Sequence, residues 1–121
     1  MTTRTLALLV LLGCMSSAGA FRVMGQPERP FELTLGQVTL PRDTGGSVTL
    51  RECDNCRMST RRFIDDAAFR VDGRAVRYAD FLQMVTDLRA SPTANATTVV
   101  NVFVDVVTEK VTRIAINRPR R

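Results

Sequence analysis

The sequence predicts a mainly β domain with one short helix, an α+β chain folded as a small OB-like or partly open barrel. Three observations predict it. Apolar and polar residues alternate in two runs between Phe31 and Leu50, an Asp72-Gly73 pair stands between apolar flanks, and a helical stripe is followed by a valine-rich segment and a second alternating run. A twisted antiparallel sheet with the helix on one face uses the same elements and is the alternative.

Phe31, Leu33 and Leu35 alternate with Glu32 and Thr34, the period of a half-buried strand. The phase changes at Gly36-Gln37 before Val38 and Leu40, which predicts a bulge or bend. Pro41 to Gly46 is a turn cluster, and Val48-Thr49-Leu50 resumes alternation toward Cys53, so the two runs predict a hairpin. Asp54 to Ala68 supports two readings: Phe63 with Ala67 and Ile64 with Ala68 have helical spacing, whereas Ser59-Thr60 and Asp65-Asp66 suit a loop. Asp72-Gly73 favours a two-residue type I′ turn, which pairs Phe69 with Val76 and sets Ala67 beside Tyr78.

Tyr78, Phe81, Leu82, Val85 and Leu88 fall on one stripe of a short helix, with Asp80 near its positive end. Ser91 to Thr97 then reads as a proline-containing loop. In the strand from Thr98 to Val107, Val100, Val102, Val104 and Val106 share a side. A connection at Thr108-Glu109-Lys110 places Val104 opposite Ile114 and Val102 opposite Ile116, making Val111 to Asn117 the closing strand. The expected core is Phe69, Val76, Tyr78, Phe81, Leu82, Val85, Val102, Val104, Ile114 and Ile116.

Three stretches of this region, Phe69-Arg70-Val71-Asp72-Gly73, Ala79-Asp80-Phe81 and Val111-Thr112-Arg113-Ile114, resemble small exported bacterial β-barrel domains of unknown function. The resemblance covers roughly residues 63–117, and the glycine expected soon after the second motif is absent. It implies the barrel and no activity.

The N-terminus reads as an export leader. Arg4 supplies a positive end, Leu6 to Leu12 form an apolar run, and Ala18-Gly19-Ala20 is a small-residue cleavage site. The expected organisation is a signal peptide over 1–20, an extended arm over 21–30, one β-rich domain over 31–117 and a basic tail over 118–121. Leu11-Leu12-Gly13-Cys14 has the form of a lipobox, so the alternative to a periplasmic or secreted protein is a membrane-anchored lipoprotein acylated at Cys14. The apolar run is shorter than the ~20 residues a spanning helix requires, and no second such run follows.

The formal net charge is +5, with the basic residues scattered and densest at Arg57, Arg61 and Arg62 and at Arg118, Arg120 and Arg121. A nucleic-acid site would place basic residues in a stripe with aromatics interleaved, so nucleic acid is not an expected partner. Histidine is absent, which excludes Ser-His and Cys-His hydrolysis and His-ligated zinc. Asp65-Asp66 with Asp72 and Asp80 suggest paired carboxylates, yet adjacent acidic residues at turns commonly cap and solvate. Asn95-Ala96-Thr97 has the form of a glycosylation acceptor.

Cys53-Asp54-Asn55-Cys56 is the one constellation that carries chemistry. In an exported chain the pair is expected to be oxidised. Three uses follow: a structural disulfide, thiol–disulfide exchange in the field of Arg57, Arg61 and Arg62, and Cu(I) binding by Cys53, Cys56 and Met58. The expected geometry has Cys53 ending a strand and the pair closing a tight turn, so that neither sulfur gains a helix N-terminus. The residues together point to a non-catalytic exported binding or structural module of the bacterial cell envelope, needing no cofactor and meeting an envelope protein or ligand. A thiol–disulfide redox accessory protein using Cys53 and Cys56 is the first alternative, and Cu(I) binding the second.

Overall fold

A computed structural model describes residues 27–119. The leader, Cys14 and most of the expected N-terminal arm lie outside the described residues. The chain forms β1 (Glu28–Thr34), a 3-10 turn (Leu35–Gln37), β2 (Val38–Thr39), β3 (Ser47–Leu50), β4 (Ser59–Val71), β5 (Arg74–Val76), α1 (Tyr78–Arg89), α2 (Pro92–Thr97), β6 (Val99–Asp105) and β7 (Val111–Asn117). The strands make one mixed sheet in the order β1-β6-β7-β4-β3-β2, with β5 on β4. All pairings are antiparallel except β4 with β7. Because β1 and β2 are consecutive in the chain yet sit at opposite ends of the strand order, the sheet curls into a partly open half-barrel consistent with an OB-like fold.

The expected bend at Gly36-Gln37 is the 3-10 turn, held by the Thr34 amide donating to Gln37 Oε1 at 2.8 Å. It splits the first alternating run between two neighbours. Only Val38 and Thr39 pair with β3, at Leu50 and Thr49, while Glu28 to Thr34 pair with β6. The expected hairpin over the whole of residues 31–50 is thereby corrected to a two-residue ladder, since the chain stays on β6 as far as Thr34 and reaches β3 only at Val38, past the 3-10 turn.

Residues 59–71, read as helix or loop over much of their length, form the longest strand. Its first half pairs with β3 and its second with β5 and β7. Between Phe63 and Ala68 the register with β7 shifts, so Phe63 opposes Val111 and Ala68 opposes Arg113. That bulge absorbs Ile64 to Ala67, which accounts for the broken alternation there.

The Asp72-Gly73 turn forms as expected, with φ of 51° and 83° and Phe69 opposite Val76. Two positive φ values are what a type I′ turn demands, and Asp and Gly tolerate them. Helix α1 follows at once. Phe81 and Val85 are buried, and Tyr78, Met84 and Leu88 pack against the core. Leu82 is only half-buried and stands outside that cluster, with Met84 on the packed side in its place. Two bonds pin the helix to the barrel: the Tyr78 hydroxyl donates to the Pro41 carbonyl and the Arg89 guanidinium to the Val38 carbonyl. The expected loop over residues 91–97 is instead α2, because Pro92 suits a first helical position and the Ser91 hydroxyl caps the Ala94 amide at 3.3 Å.

In the last hairpin Val102 opposes Ile114 and Val100 opposes Ile116, a register two residues away from the expected one. An even offset leaves every side chain on its face, so Val102, Val104, Ile114 and Ile116 are all buried as expected. The offset arises because the strand stops at Asp105. Its Oδ1 accepts from the Val107 and Thr108 amides at 2.7 and 2.9 Å, which turns the chain early and leaves Val106 on the surface, 55 % exposed. Phe63, Phe69, Tyr78 and Phe81 form a ring cluster inside the barrel, with centroid separations of 4.7–5.7 Å.

Candidate functional site

The loop between β3 and β4 carries the cysteines. Its base is tied down by the Arg51 amide, which donates to the Gln37 carbonyl at 2.9 Å. Beyond that point Arg51 to Asn55 are all exposed. Cys53 and Cys56 form a disulfide with Cα atoms 4.9 Å apart, and the Cys56 amide donates to the Cys53 carbonyl at 3.2 Å. The pair thus closes a tight turn. The strand itself ends at Leu50, three residues before Cys53, which corrects the expected strand-end position of that cysteine.

Accessibility divides the two sulfur-bearing residues: Cys53 is exposed and Cys56 half-buried. No helix begins at Asn55, so no helix N-terminus contributes positive field at either sulfur. Arg51 and Arg57 flank the pair on one side of the charge balance, Glu52 and Asp54 on the other, all exposed. Met58 is 59 % exposed at the end of the same loop. In the disulfide form the cysteines offer no thiolates, so Cys53, Cys56 and Met58 cannot act together on Cu(I) until the bond is reduced. Among the described residues no group of three or more His, Cys, Asp or Glu is arranged to hold a metal.

The other sequence candidates separate in space. Asp65 and Asp66 are exposed on the bulged stretch of β4. Asp80 pairs with Arg77 at 3.4 Å on the first turn of α1. Asp72 accepts from the Arg118 backbone amide at 2.8 Å and from its Nε at 2.7 Å, and these two bonds hold its carboxyl below the usual aspartate value. The Asn95 amide group packs over Gly36 and its Oδ1 is buried, so Asn95 of the Asn95-Ala96-Thr97 triplet stands half-buried against the 3-10 turn.

A groove of about 840 Å³ runs between the helical layer and the Asp72 turn, lined by Asp72, Asp87, Leu88, Ser91, Asn117 and Arg118 among others. Its size falls in the range of small-molecule sites. It was illegible in the sequence, since Asp87, Ser91 and Arg118 come from three separate elements. Among the described residues no helix is long and apolar enough to cross a membrane. No family model, curated protein or solved structure matches the chain.

Proposed function

We propose that the chain is a thiol–disulfide redox accessory protein, acting outside the cytosol, whose working group is the Cys53–Cys56 pair. The supporting observation is a disulfide that is exposed at Cys53 and braces no core element. As a staple it does little: closing so short a loop contributes only about 2 kcal/mol in the chain-entropy estimate. Exposed disulfides are also the ones whose potentials lie in the labile, exchangeable range.

In the proposed cycle a partner's thiolate attacks Cys53 Sγ, and the Cys53–Cys56 bond breaks with its electron pair passing to Cys56 Sγ. A second thiolate of the partner then attacks the mixed disulfide at its own sulfur. The partner leaves oxidised, both cysteines are reduced, and two electrons have moved. A further exported disulfide returns the pair to its starting state. Arg57 favours the thiolate leaving group, and Glu52 and Asp54 moderate it.

The test is kinetic. Cys56→Ser, offered oxidised glutathione, is expected to form a mixed disulfide at Cys53 at least ~10-fold faster than Cys53→Ser does at Cys56, because access favours the exposed Cys53. Equal and slow reaction of both variants overturns the proposal. A second reading, a non-catalytic binding module of the cell envelope, is favoured by the groove at Asp72, Asp87 and Arg118. Under that reading a ligand shifts the Arg118 amide and leaves the cysteines untouched.

A further inference from the structure

At the end of the half-barrel where β4 and β7 begin, two arginines converge on one aromatic ring. Strand alternation puts them there: Arg29 and Phe31 share the row of buried Leu33 on β1, and Arg61 shares the row of buried Phe63 on β4. The guanidinium carbons of Arg29 and Arg61 lie 4.8 and 5.6 Å from the Phe31 centroid. The ring's negative face attracts both cations, and negative charge held between them would lower their mutual repulsion.

Arg61 is poorly served for a charge so deeply placed. Its side chain is 11 % exposed, and its Nε is buried with no hydrogen-bond partner among the described residues. Ser59 Oγ, two positions earlier on the same row, is buried and unpartnered in the same way. The Arg61 Nη1 reaches only Glu109, at 3.4 Å from its carbonyl and 3.7 Å from a carboxylate that is 69 % exposed. Glu109 holds that position from a left-handed backbone, φ 57°. Asp105 is the other acidic residue at this mouth, but its Oδ1 is engaged by two loop amides. Glu28 is turned to Arg113 at 3.2 Å and to Thr112.

We infer that this mouth is a binding site for an oxyanion, phosphate or carboxylate, carried on a small organic molecule, with Glu109 as the internal placeholder it displaces. Guanidinium N–H groups present paired donors matched to two oxygens of such a group. Phe31 and the exposed Val106 offer apolar walls for the body that carries the anion. The recess beside Arg29 and Glu109 holds about 20 Å³, room for a water but not for an organic anion, so entry requires Glu109 to move. The site is independent of the cysteine chemistry.

The test follows the arginine Nε–H signals by NMR in the full-length chain, titrated with inorganic phosphate, phenyl phosphate and benzoate against chloride at matched ionic strength. Saturable movement of the Arg61 Nε signal is expected, with Arg29→Gln weakening binding ~10-fold and Glu109→Gln tightening it ~3-fold. Arg29 is exposed, so its variant is expected to keep the wild-type unfolding midpoint. Response to phenyl phosphate and phosphate alone assigns a phosphate ester, and response to benzoate alone a carboxylate; either supports the site. Shifts that chloride reproduces, or none up to ~10 mM of all three probes, overturn it. Unchanged or weaker binding in Glu109→Gln overturns the placeholder.

Discussion

Val102→Ala and Val106→Ala form a matched pair that separates the observed end of β6 from a strand continuing through Val107. Val102 is 0 % exposed and opposes Ile114 in the middle of the sheet, whereas Val106 is 55 % exposed beyond the Asp105 turn. Each substitution deletes the same two methyl groups. At roughly 0.8 kcal/mol per buried carbon, plus a cavity that a strand flanked on both sides cannot collapse, Val102→Ala is expected to cost about 2 kcal/mol. Val106→Ala is expected to stay within ~0.5 kcal/mol of wild type. In urea, with a slope of about 1 to 1.5 kcal/mol/M for a domain of this size, the first variant unfolds at least ~1 M earlier and the second at the wild-type midpoint. Equal losses would show that the strand runs on past Asp105 and that its turn is misplaced.

Three further outcomes are expected. Replacing both Cys53 and Cys56 with serine lowers stability by no more than about 2 kcal/mol in urea unfolding, and a loss above ~4 kcal/mol would make the disulfide a structural requirement. Tyr78 is the only tyrosine in a chain without tryptophan, and burial, aided by the Asp43 charge, raises its hydroxyl from 10.0 to about 12, so the tyrosinate absorbance should rise near pH 12 when folded and near 10 in denaturant. A raised folded value means that its contribution is full below pH 10 and is lost as pH rises toward 12, and a folded midpoint at 10 would show that the hydroxyl is not buried in solution. Asp72 is shifted the opposite way, so its clasp on Arg118 is present above pH 3.8 and is lost as pH falls through the lower folded value; Asp72→Asn should move the Arg118 amide resonance at pH 7, and an unmoved resonance refutes the clasp.

The legible parts of the fold are those whose cause is local. Asp72-Gly73 specifies its turn through two positive φ values, and Phe81 and Val85 specify the buried helix face through spacing alone. β4 was illegible because the four residues from Ile64 to Ala67 bulge, and Phe63 with Ala67 then mimics helical spacing inside a strand. The split of residues 28–39 between β6 and β3 depends on pairing with distant segments, which periodicity does not encode. Of the candidate site, the cysteine turn was visible as a spacing. The ring of Arg29, Phe31 and Arg61 was not, because the basic cluster around Arg61 gives no sign that Arg61 faces inward while Arg62 reaches outward to the Gly45 carbonyl.

The reduction potential of the Cys53–Cys56 disulfide separates an exchange-active group from a passive clasp. Equilibrating the full-length chain with a graded series of dithiol buffers, and quantifying free thiols, yields it without knowledge of the partner. The expected value lies above about −270 mV, within the range of exchange-active disulfides, with reduction lowering stability by no more than about 2 kcal/mol. A potential below about −300 mV, where structural disulfides of exported proteins lie, would contradict it.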